Sequence, residues 1–65
     1  MNNEFTKLVD AIAYARRTAN LMNEPRYVLK GLNDGERIFW VCGPTAKREL
    51  WNELIPVHVC EPQTV

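Results

Sequence analysis

Residues 26–42 read RYVLKGLNDGERIFWVC, and the fold is decided by how this stretch is parsed. Two β-type runs, 26–32 and 36–42, flank Asn33-Asp34-Gly35, and an Asp-Gly step between such runs is a strong hairpin signal. Two turn geometries fit. One is a two-residue turn on Asp34-Gly35. The other is a type I turn on Asn33-Asp34 with Gly35 left-handed in a bulge, and the residue types favour this second form. The choice sets the register, and with it which side chains meet across the strands. The second run carries Ile38, Trp40 and Cys42 on one face and Phe39 and Val41 on the other. Apolar residues on both faces belong to a strand that is central or covered twice. The chain has little material for two covers, so either Trp40 or Phe39 is expected to stay partly exposed unless a second helix shields it. A hairpin alone is marginally stable, so the flanking segments must pack on it.

On the N-terminal side, Phe5, Leu8, Val9, Ile12, Ala15, Ala19 and Met22 recur at helical spacing. Ala11, Ala13, Ala15 and Ala19 are strong, small helix formers that let a helix lie close to a sheet. Asn2 and Asn3 offer capping side chains, and Pro25 disfavours helical geometry at Glu24. The pattern predicts a helix over residues 3–22. A second line on that helix, Asp10, Tyr14, Arg17 and Leu21, mixes an aromatic, two charges and an aliphatic. It reads as a solvated flank or, alternatively, as a partner-binding face anchored by Tyr14 and Arg17.

On the C-terminal side, Gly43-Pro44-Thr45 breaks the strand and starts a helix predicted over residues 44–54, with Ala46, Leu50 and Leu54 on one face. Pro56 ends it, and residues 57–60 form a short strand. That strand fits parallel beside the second strand after a helical crossover, or antiparallel beside the first. Residues 61–65 read as a frayed tail. The expected architecture is a single α+β domain over residues 1–65, in the order α-β-β-α-β, with a three-stranded sheet built on the hairpin.

Composition narrows the function. The 65 residues carry eight Lys and Arg against eight Asp and Glu, so no net field directs the chain to nucleic acid or membrane. No apolar run reaches the length of a membrane span, and MNNEFTK lacks the basic-then-apolar pattern of a secretory signal. The expectation is a cytoplasmic protein with Cys42 and Cys60 as reduced thiols. His58 and Cys60 share one side of their strand, but with Cys42 they make three metal ligands where a structural zinc site takes four. No metal or cofactor is therefore expected. No third group orients a Cys–His pair, and the scattered carboxylates form no recognisable couple, so no enzymatic activity is expected. Free backbone donors beside Lys47 and Arg48 at the second helix start are generic to helix termini. A basic cluster of Arg16, Arg17, Arg26 and Lys30, with Tyr27 for stacking, is the basis of an alternative reading as a small nucleic-acid-binding protein. A third alternative is a homo-oligomeric structural component that associates through Trp40 or Phe39.

In length, compact layout and lack of a catalytic signature, the whole chain resembles the small phage- or mobile-element-encoded accessory proteins, including anti-CRISPR-type inhibitors. The resemblance implies inhibition by contact, with a host defence complex or another host protein or protein–nucleic-acid complex as partner. The residues expected to carry it are Tyr14, Arg17, Tyr27, Lys30 and Trp40, with acidic Asp34 and Glu36 at the hairpin tip. A monomer or homodimer fits that role.

Overall fold

The structure is a computed structural model that describes residues 4–63. The chain runs β1 (Glu4–Phe5), α1 (Leu8–Met22), β2 (Arg26–Asn33), β3 (Glu36–Cys42), α2 (Pro44–Glu49) and β4 (His58–Cys60). The α+β class expected from the sequence is therefore shown. The sheet has four strands rather than three, in the order β1-β3-β2-β4, and every pairing is antiparallel.

The hairpin is where the sequence placed it, with the other of the two turns. Asp34 (φ 54°) and Gly35 (φ 79°) are both left-handed, and Asn33 faces Glu36 across the strands. This is a two-residue type I′ turn, not the bulged form that the residue types favoured. A primed turn has the same twist as the strands it joins, and Asp tolerates the left-handed region better than most residues.

The extra strand comes from the start of the chain. Glu4 and Phe5 pair with Trp40 and Phe39, so α1 begins at Leu8 and not at residue 3. Phe5 fits the helical spacing, but extended it places its ring 5.4 Å from that of Tyr14 and packs against the core. The capping role expected of Asn2 and Asn3 lies outside the described residues. The observed N-cap is Lys7, which makes no side-chain cap bond. At the other end Asn23 adopts the left-handed conformation (φ 56°), and its N–H donates to Ala19 O. This is the usual way to stop a helix, two residues before a proline.

The buried line of α1 is Ala11, Ala15 and Ala19, each 0 % exposed, packed with Val28, Phe39, Val41 and Cys60 on the sheet. Ile12 and Tyr14 flank it. Leu8, Val9 and Met22, expected on the buried stripe, are exposed. The reason is geometric. The helix crosses all four strands. At 15 residues it is about 22 Å long, while four strands span only about 14 Å between outer axes. Its ends overhang, and Leu8 and Met22 overhang with them. Val9 lies off the buried line altogether.

The opposite face of the sheet is also covered. Leu29 is fully buried there and Cys42 nearly so. The cover is short: α2 ends at Glu49 instead of running to residue 54, and the chain then turns so that Trp51 meets Trp40 edge-on, 5.8 Å between centroids at 61°. A helix of six residues has little stability of its own, and the contact between two large aromatics outweighs another helical turn. Leu50 and Leu54, expected on a common helix face, are left exposed. Phe39 is buried beneath α1, whereas Trp40 is only half-buried against Trp51.

After Trp51 there is no helical crossover. Val57 N–H donates to Val28 O (2.9 Å), and β4 then pairs antiparallel with β2, the second of the two arrangements read from the sequence. The segment after it is not frayed through Gln63, whose N–H donates to Asn20 Oδ1 at 2.8 Å.

Candidate functional site

The residues singled out in the sequence fall into three groups, and the fold does not gather them into one. Tyr14 and Arg17 meet on α1, with the Arg17 guanidinium 5.9 Å from the Tyr14 ring centroid. Their neighbours on that line, Asp10 and Leu21, are exposed, while Tyr14 is half-buried against Phe5. Tyr27 and Trp40 project from the face away from α1, because strand alternation places them with Leu29. Lys30 stands on the α1 side, exposed, and Asp34 and Glu36 stand in the solvent at the hairpin tip. Of the four basic residues of the nucleic-acid reading, Arg16, Arg17 and Lys30 are exposed and Arg26 is half-buried. Arg26 Nη1 is bonded to Glu24 Oε1 (3.3 Å) and to Pro25 O (3.3 Å), so one of the four is already engaged by a carboxylate.

Two clefts do form. The larger, about 410 Å³, opens between the C-terminal half of α1 and the start of α2. Tyr14, Leu21, Val41 and Pro44 supply apolar walls, and Arg26 and Thr45 supply polar groups. The smaller, about 390 Å³, lies on the opposite face around Trp40, Trp51 and Glu4. There a Cβ on Gly31 would come within 2.7 Å of the Trp40 ring, so the glycine lets the indole lie against the backbone of β2. The Trp40 Nε1–H is buried and meets no acceptor among the described residues.

Among the described residues no three His, Cys, Asp or Glu side chains are placed to hold a metal ion. The thiols are separated by the sheet itself. Cys42 pairs with Tyr27 and Cys60 with Arg26, so both stand at one end of β2 but on opposite faces and opposite sides of it. Two strand spacings put roughly 9.5 Å between their backbones, beyond the reach of a disulfide. The Cys60 thiol donates weakly to Ile12 O at 3.8 Å.

Burial pushes both thiols above their ordinary value of 9.0, offset in part by Lys47 and Arg26 at Cys42 and by Arg16 at Cys60. The sign for stability follows from linkage. In the unfolded chain the thiols ionise first, so as pH rises past about 9 the unfolded state sheds protons that the native state retains, and stability falls. Below that pH the contribution is fully present. The urea midpoint of the native protein is expected to drop more steeply above about pH 9 than that of a Cys42→Ala, Cys60→Ala variant. Equal slopes would show that the thiols are not protected.

Two features escaped the sequence reading. The larger groove is built from residues that are unremarkable singly, and only the overhang of α1 brings Leu21 and Arg26 to one opening. Trp51 falls within the helix predicted over residues 44–54, and its partnership with Trp40 needed the early end of α2. Within the described residues no helix is long and apolar enough to cross a membrane. Comparison with protein-family models, with curated proteins and with solved structures returned no match.

Proposed function

We propose that this protein is a small non-enzymatic protein-binding module that acts by occupying a surface of its partner. The observation that supports this reading is the balance of its apolar side chains. Among the described residues ten large apolar side chains are exposed, Ile55 at 89 %, Leu21 at 78 % and Leu32 at 76 % foremost. The buried set numbers nine, and three of those are alanines. Single exposed apolar residues are ordinary, but a domain that exposes more large apolar groups than it buries has surface suited to a partner. The likeness in size and layout to phage-type inhibitors sets the class of partner, a host defence complex or another host assembly. The cytoplasm is the corresponding location.

The test is affinity capture from bacterial lysate, with and without added nuclease, using the native protein and Leu21→Glu and Ile55→Glu variants. Both positions are exposed, so the substitutions should leave the melting temperature within a few degrees, since exposed substitutions cost about 0.5 kcal/mol or less. The expected result is a stoichiometric protein partner held by the native chain and lost from at least one variant. Recovery of nucleic acid alone, with steep salt dependence, would overturn the reading in favour of the basic residues. A concentration-dependent mass with no partner would replace it by self-association.

A further inference from the structure

We propose that the groove between α1 and α2 seats an acidic-apolar segment of a partner polypeptide, with the Arg26 guanidinium taking its carboxylate and Leu21 and Met22 its apolar side chain. The inference rests on the protein-binding reading and gives it a place and a chemistry. At about 410 Å³ the groove falls in the size range of ligand sites, roughly 300–1,000 Å³. Its rim is apolar: Leu21 and Met22, 78 % and 56 % exposed, overhang it from the end of α1.

Its charge is held in an unusual state. Arg26 is the only cation in the lining and Glu24 the only carboxylate, among the described residues. The Arg26 side chain is 14 % exposed, yet both of its hydrogen bonds leave from Nη1, at 3.3 Å each. Among the described residues Nε and Nη2, which complete the fork, make none. Glu24 is 52 % exposed, so its contact is solvent-screened and exchangeable. A guanidinium fork binds a carboxylate best through two parallel N–H donors, and that capacity is unused here. Lys47 adds to the same field, since it acts with Arg26 on the Cys42 thiol that lines the groove. The local balance therefore favours an anion even though the chain as a whole is neutral.

Gly43 makes the arrangement possible. A Cβ at this position would lie 2.6 Å from Arg26 Nη1, so the guanidinium rests against the Gly43 backbone. Gly43 has φ −86° and ψ −179°, a conformation open to alanine. An alanine there would displace the flexible end of Arg26 and leave its charge and the backbone in place.

The experiment is a titration of the ¹⁵N-labelled protein, followed by amide shifts, with the peptide acetyl-Glu-Leu-Glu-Leu-Glu amide and its Lys-for-Glu counterpart. The expected result is saturable shifts centred on Thr18, Leu21, Arg26 and Gly43 with the acidic peptide only. Arg26→Gln and Gly43→Ala are each expected to weaken binding about tenfold or more. Glu24→Gln, which removes the competing carboxylate, is expected to strengthen it. Equal response to both peptides, shifts centred elsewhere, or unchanged affinity in Arg26→Gln would overturn the proposal. If the groove fails while lysate capture still returns a protein partner, the contact reading stands with another surface; if both fail, the contact reading falls as well.

Discussion

Replacing Ala15 by leucine is expected to lower the melting temperature by about 10–20 °C. Ala15 is the middle member of the buried alanine line and is 0 % exposed, facing a cluster that includes Val28, Phe39 and Val41. Leucine adds three heavy atoms where the helix already lies against the sheet, and overpacking of this kind costs about 1–3 kcal/mol. A core in a chain this short supplies about 3–5 kcal/mol in all. Each kcal/mol moves the midpoint by about 4–8 °C for a domain of this size. Leucine is nearly as good a helix former as alanine, so intrinsic propensity does not contribute. The control is Ala13→Leu, on the exposed side of the same helix, expected to shift the midpoint by no more than a few degrees. Thermal melts followed by far-ultraviolet circular dichroism make the comparison. Equal midpoints for the two variants would mean that α1 does not sit close on the sheet.

The second large effect concerns the other face. Leu29 is 0 % exposed, stands directly across from Trp40 in the register, and belongs to the side away from α1. Leu29→Ala is expected to cost about 2–5 kcal/mol, because the cavity left behind can collapse only partly. Against a stability of a few kcal/mol this leaves a substantial unfolded fraction in water. The urea midpoint should fall correspondingly with little change in slope. Trp40 and Trp51 report directly on this region, and their emission should shift to the red as water gains access. A cost below about 0.5 kcal/mol, the range of surface substitutions, would mean that the second face is not a packed layer. The contrast with Ala15 is informative, since one variant overfills the first layer and the other empties the second.

Much of the fold was legible because its signals are local. Asp34-Gly35 between two apolar runs specifies a hairpin whatever the rest of the chain does, and Pro25, Pro44 and Pro56 punctuate the elements on either side. The doubly apolar pattern of residues 38–42 pointed to a strand that is central or covered twice, and β3 is central. What could not be read was decided by distant contacts. Glu4 and Phe5 carry no strand signal of their own; they are extended because β3 offers them an edge. Residues 50–54 have a helical pattern that yields to the contact between Trp51 and Trp40. Ala11 was noted as a helix former and not as a buried position, since an alanine carries little hydrophobic signal until something is shown to lie beneath it. The seven candidate contact residues were chosen by type, and type does not report on which side of a sheet a residue ends.

The order of the strands carries a consequence for how the molecule assembles. The two central strands are consecutive in the chain, whereas the two outer ones come from its opposite ends, with Glu4 pairing to Trp40 and Arg26 to Cys60. The hairpin closes a loop of two residues and can form in microseconds. Each outer strand must wait for a long loop to close before its few hydrogen bonds return anything. Folding is thus expected to run from the centre of the sheet outwards, with the turn formed early in the transition state and both chain ends joining late. Substitutions at the turn should then slow folding, and those in the outer strands should mainly speed unfolding.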